Sequence, residues 1–175
     1  MKLSEFVELV GKMSERKYEI GENDWHAKAL CFCRKKVLEQ RFVDIAMKEL
    51  VVLGILVHRG VSSVIGYEEK VFSKKVGKYT IYGTPDIVNG EDVIEVKFTS
   101  RLPSEPREFD VMQLKIYLWL LDKDKGYLWY FSPYGFAEYE VSGKFTDEDI
   151  LNLIENPKTP LWSWECRYCN LCNGI

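Results

Sequence analysis

Between Val93 and Phe98 a run of β-branched and aromatic residues is interrupted twice, by Glu95 and by Lys97. Such runs form strands, and positions two apart on a strand share a face. Glu95 and Lys97 therefore project together, while Ile94 and Val96 point the other way into a core. An acid and an ammonium taken out of water need partners, so the fold must bring further polar groups to that face. Asp86, in Gly83-Thr84-Pro85-Asp86, arrives from the preceding hairpin strand and is the natural neighbour. Two carboxylates at one spot repel, and a hard divalent cation such as Mg²⁺ or Mn²⁺ relieves that repulsion through oxygen ligands. A buried salt bridge from Lys97 to one acid, with the other solvated, is the plainer alternative.

The rest of the chain gives this strand a setting. The first sixty residues read as largely helical: Phe42, Ile45, Ala46, Leu50, Leu53 and Val57 recur at three- and four-residue spacing. Val51, Val52 and Ile55 make that helix apolar nearly all round, so it is expected deep in the core, ending near His58-Arg59-Gly60. From Val64 to Thr99 the character is β, with strands expected at Val64–Phe72, Tyr79–Gly83, Pro85–Val88 and Val93–Phe98. A helix is expected from about Arg107 to Leu121, carrying Gln113 and Tyr117 one turn apart. Strands follow at Tyr127–Phe131 and Phe136–Val141, and Thr146 opens a short helix as its N-cap. The 175 residues read as one α/β domain with a cysteine-bearing end.

Composition excludes several classes. Apolar residues make up 46% and charged residues 29%, a globular balance rather than a disordered one. The apolar run Leu50–Val57 is too short to span a bilayer, and the N-terminus lacks a signal-peptide apolar segment. A cytoplasmic protein without membrane contact is expected. The net charge of −3, from 24 Lys+Arg against 27 Asp+Glu, excludes a cationic nucleic-acid coat but not nucleic-acid chemistry at one site. Abundant Lys and Glu beside two glutamines hint at a thermophilic source.

Five cysteines lie towards the two ends: Cys31 and Cys33, then Cys166, Cys169 and Cys172. An odd count in such a chain disfavours a disulfide framework. Three thiols within seven residues point instead to a metal centre, and a four-thiolate site would need its fourth ligand from Cys31 or Cys33. Iron–sulfur and four-cysteine zinc are the two readings. Either would clip the two ends together.

The acid–lysine strand, Asp86, Gln113-x-x-x-Tyr117 and the earlier His58 together resemble the PD-(D/E)xK nuclease superfamily in its RecB-like branch. The resemblance implies a restriction-endonuclease-like core, a mixed sheet flanked by helices. It implies a metal held by His58, Asp86, Glu95 and the backbone carbonyl of Val96. Lys97 would position or activate the attacking water and offset charge on the scissile phosphate, with Gln113 and Tyr117 completing the catalytic set. Together with the cysteines, the chain is similar to the Cas-four family of CRISPR-associated nucleases. That similarity implies an iron–sulfur cluster on Cys33, Cys166, Cys169 and Cys172, with Cys31 as the alternative to Cys33, and 4Fe–4S favoured over 2Fe–2S. It further implies metal-dependent 5′-to-3′ exonuclease action on single-stranded DNA or DNA ends during spacer acquisition, beside the Cas-one–Cas-two integrase. Homo-oligomers are compatible with this reading. An iron–sulfur repair nuclease of the same fold and a non-catalytic nucleic-acid-binding module are the rivals. Arg34, Lys35 and Lys36, with Lys70, Lys74, Lys75 and Lys78, would form a phosphate track or simply a solvated charged face.

Overall fold

A computed structural model of the chain describes residues 2–12, 21–39 and 49–168. Its architecture is built around one helix, α4 (Glu108–Leu121), which starts after Pro106 with Glu108 and Asp110 in its first turn. Acids there complement the helix dipole. Most of α4 is buried, because it lies between two sheets. Before it in the chain come α1 (Leu3–Lys12), β1 (Asp24–His26), a 3-10 turn (Ala27–Cys31), α2 (Arg34–Glu39), α3 (Glu49–Ile65), β2 (Phe72–Val76), β3 (Tyr79–Gly83), β4 (Ile87–Asn89) and β5 (Asp92–Phe98). After it come β6 (Lys125–Ser132), β7 (Gly135–Ser142), α5 (Asp147–Glu155) and a 3-10 turn (Glu165–Tyr168).

The smaller sheet has the order β1-β3-β2, and the larger β4-β5-β6-β7. The β4–β5 hairpin turns at Gly90, whose φ of +61° is left-handed and open to glycine at little cost. Strands β5 and β6 run parallel, joined through α4 as the crossover a parallel pair requires. Residues then alternate across the larger sheet. Val93, Leu128 and Tyr130 join the core under α4, while Ile87, Ile94 and Val96 pack with Val57 and Val61 of α3 on the opposite face. The expected split of Glu95 and Lys97 from Ile94 and Val96 is therefore realised.

Three expectations need correction. Helix α3 runs to Ile65, past His58–Gly60, so Val64 and Ile65 close a helix and the next strand begins only at Phe72. Nor is α3 a core helix: Ser62 is its one buried residue, and Leu50, Val51, Leu53 and Leu56 are exposed. It lies on the outer face of the sheet, where one stripe makes contact. Phe42, Ile45 and Ala46, part of the same periodicity, lie outside the described residues. Third, residues 24–31 supply a short strand parallel to β3 and a 3-10 turn rather than helix. Among the described residues no helix is long and apolar enough to cross a membrane.

Candidate active site

Four elements converge at the edge of the larger sheet. Asp86 immediately precedes β4, and its Oδ2 accepts the Val96 N–H at 2.7 Å, just beyond the last β4–β5 pair, Ile87 with Ile94. A residue's N–H and C=O leave a strand on the same edge, so the Val96 carbonyl leaves on the Asp86 side. The other Asp86 oxygen meets His58 Nδ1 of α3 at 2.9 Å. Strand β5 presents Glu95 and Lys97 towards α4. There Asp110, Gln113 and Tyr117 share one helix face by their three- and four-residue spacing.

The side chains form one continuous network. Lys97 Nζ donates to Glu95 Oε1 at 2.8 Å and to Gln113 Oε1 at 2.9 Å, and lies 3.4 Å from Asp110 Oδ1. Gln113 Nε2 donates to Glu95 Oε1 at 2.8 Å and lies 3.0 Å from the Tyr117 hydroxyl. Tyr130 donates its hydroxyl to Asp110 Oδ2 at 2.7 Å. Thus the structure brings together His58, Asp86, Val96, Glu95, Lys97, Gln113 and Tyr117. Asp110 was missed from the sequence. Its signal was an acid three residues before Gln113, on the helix face that also carries Tyr117.

Burial and charge set the protonation chemistry. Glu95 is 4% exposed; burial, reinforced by the Asp86 charge, pushes its pKa from 4.5 up to about 7. Burial pushes the same way at Asp86, yet the His58 bond and charge, Lys97 and the Val96 N–H outweigh it and leave the pKa lowered. At Lys97, burial favours the neutral amine, but Glu95, Asp110 and Asp86 hold it firmly cationic. His58 is likewise raised: burial lowers it, and its bond to Asp86 with the Asp86 and Glu95 charges prevails. Burial, with Glu95 next, lifts Tyr117 well above its ordinary value, so its hydroxyl stays protonated.

The donor set suits a hard divalent cation in chemistry. His58 Nδ1 and Asp86 Oδ1 are 2.9 Å apart, close to the roughly 3 Å expected between adjacent ligands of an octahedral ion with bonds near 2.1 Å. Glu95 Oε2 is buried with no hydrogen-bond partner among the described residues, an acceptor left for another group. As the side chains stand, no three His, Cys, Asp or Glu among the described residues converge tightly enough to hold an ion. Glu95 would have to turn Oε2 towards the His58–Asp86 pair.

At the other end of the fold, the Cys33 N–H donates to Glu165 Oε1 at 2.7 Å, across 132 positions of sequence. Glu165 is buried, and its Oε2 accepts the N–H groups of Leu161 and Trp162. Trp162 Nε1–H donates to the Cys31 carbonyl at 2.8 Å. The segments bearing Cys33 and Cys166 are thereby tied together. The Cys31 thiol instead is buried, donates to the Ala27 carbonyl and has its pKa raised by burial. Cys169 and Cys172 lie outside the described residues.

The basic residues offered as a phosphate track are partly spoken for. Arg34 stacks 3.6 Å from the Trp25 ring centroid and donates to the Ile154 carbonyl. Lys74 donates to the Trp119 carbonyl and covers its ring.

No family model matches the sequence. The chain is 32% identical over 171 residues to the CRISPR-associated exonuclease Cas4 of Saccharolobus solfataricus, covering 85% of each. A crystal structure of SSO0001 matches 97% of this chain and 94% of its own, with a TM-score of 0.79 and 29% identity.

Proposed function

The chain belongs to the family of CRISPR-associated Cas4 exonucleases and is a DNA nuclease, and on that premise we propose that the His58–Asp86–Glu95–Lys97 cluster is its hydrolytic centre. The observation that carries this is the meeting of those four residues with Gln113 at one sheet edge, with a buried Glu95 oxygen unclaimed. His58, Asp86, Glu95 and the Val96 carbonyl would hold Mn²⁺ or Mg²⁺. Such an ion supplies phosphoryl polarisation and an acidified water. Lys97, kept cationic by three acids, offsets charge that develops on the phosphate. Gln113 holds the Glu95 carboxylate by Oε1 and is itself braced by Tyr117, an anchor about which Glu95 would turn Oε2 towards the ion.

By family likeness the substrate is single-stranded DNA or a DNA end, cut from 5′ to 3′, in the cytoplasm. The role is processing DNA for spacer acquisition beside the Cas1–Cas2 integrase. An iron–sulfur cluster, 4Fe–4S in preference to 2Fe–2S, would take Cys33, Cys166, Cys169 and Cys172. The buried Cys31 thiol, which donates to the Ala27 carbonyl, favours Cys33 as the N-terminal ligand.

Single-stranded DNA labelled separately at its 5′ and 3′ ends tests catalysis and polarity together. Cleavage should require Mn²⁺ or Mg²⁺ and disappear in Asp86→Ala, Glu95→Ala and Lys97→Ala. Folded variants that cut like the parent would remove the assignment. DNA binding without cleavage by the parent would point to a binding module.

A further inference from the structure

Lys97 is the expected cation of the site, but its ammonium is already engaged. It donates to Glu95 Oε1 and Gln113 Oε1 and forms an ion pair with Asp110 Oδ1 at 3.4 Å. A phosphate reaching Lys97 directly would have to break one of these contacts inside a buried network. Beyond the divalent ion proposed for the scissile phosphate, an anionic backbone entering beside Asp86, Glu95 and Asp110 gains from a further cation that is free to meet it.

The 3-10 turn Ala27–Cys31 supplies one. Its buried side, Ala27, Leu30 and Cys31, belongs to the same core cluster as Leu114 and Tyr117 of α4, and the turn packs on that helix. His26 caps the turn by accepting the Lys28 N–H at Nδ1, 3.2 Å away, which fixes where the Lys28 side chain leaves the backbone. Lys28 stays reachable by solvent. Burial and then the Lys97 charge lower its pKa, while Glu95, Asp86 and Asp110 act to raise it, so the ammonium lies within electrostatic range of the acidic cluster. Yet it forms no ion pair and no side-chain hydrogen bond among the described residues. An exposed lysine on a turn packed against α4, in electrostatic range of three buried acids and paired with none, is available to an incoming anion.

We propose that Lys28 contacts a backbone phosphate of the DNA strand entering the site, leaving Lys97 to act through space. Resting on the nuclease reading above, this separates two tasks. Lys28 binds strand, and Lys97 holds the charge of the hydrolytic centre. The chemical class recognised is a phosphodiester anion, with no base preference.

The test uses the full chain and a fluorescein-labelled oligothymidylate. Binding is followed by anisotropy with Ca²⁺ over a salt series, and cleavage is measured with Mn²⁺. Each phosphate contact on single-stranded nucleic acid contributes about −0.7 to the slope of log K against log salt. Lys28→Ala should weaken binding by about tenfold and flatten the slope by about 0.7. KM should rise at nearly constant kcat, because a contact made equally in ground and transition states is lost. Lys28→Arg should restore slope and KM, a rescue that a merely structural role would not show. A parent-like slope in Lys28→Ala, with the parent cutting normally, overturns the Lys28 assignment alone. A parent that neither binds nor cuts overturns the nuclease reading beneath it.

Discussion

Glu95 and Asp110 set the chemistry at the scale of single residues, since each buries a carboxylate with one oxygen lacking a hydrogen bond. The Glu95 pKa of about 7 lies above its ordinary 4.5, so without metal the folded state holds this proton more tightly than the unfolded chain. Stability should then fall as pH rises through that window and level off above it. In chelator, thermal unfolding of the parent should lose ground to Glu95→Gln between about pH 4.5 and 7; parallel curves would show that Glu95 titrates normally. Added Mn²⁺ favours the ionised carboxylate and should cancel the difference. Asp110 carries the second prediction. Asp110→Asn removes a charge 3.4 Å from Lys97, while its amide oxygen still accepts from Tyr130. A loss of about 1–3 kcal/mol in denaturant unfolding is expected, together with reduced cleavage. Neither effect was legible from sequence, because burial of an acid depends on what packs over it.

Among the elements, α4 decides the geometry. Its amphipathic pattern is faint because both sides are covered, yet its limits were readable from Pro106 and from the end of the apolar run at Leu121. Helix α3 shows the converse. Its all-round apolar sequence suggested a core position, but it meets the sheet along one stripe. Apolarity reports affinity for some partner and not which face finds one. The approach of β3 to α4 is so close that a Cβ on Gly83 would sit 2.7 Å from Leu120 Cδ2 and 2.8 Å from Tyr117 Cε1. Gly83→Ala should therefore displace Tyr117 and lower stability by about 1–3 kcal/mol, with cleavage reduced through Gln113. Unchanged unfolding and activity would mean that the two elements can slide apart. At α5 the local signal was sufficient. Thr146 and Asp149 form a reciprocal capping box, and Thr146→Ala should cost about 1 kcal/mol in chemical denaturation without touching nuclease activity.

On the scale of the whole molecule, Glu165 joins sequence ends that α4 and both sheets separate. Its carboxylate satisfies three backbone N–H groups, from Cys33, Leu161 and Trp162. Glu165→Ala strands those donors, and limited proteolysis should then release the C-terminal segment faster than in the parent. Iron content per chain should fall as well if Cys33 is a cluster ligand; unchanged proteolysis would show that Trp162 and the core hold the segment unaided.

The sequence by itself determined the strand carrying Glu95 and Lys97, the helix carrying Gln113 and Tyr117, and the short helix capped by Thr146. Each depends on periodicity or capping within a few residues, which local sterics enforce. Tertiary structure alone decided that His58 meets Asp86 across 28 positions, that Asp110 joins Lys97, that Lys28 lies within electrostatic range of the acids, and that Cys31 and Cys33 are both tied to the C-terminal segment, with the Cys31 thiol turned to the Ala27 carbonyl. Those pairings depend on which faces the two sheets and α4 bury against one another, and no local spacing encodes a distance closed only by packing.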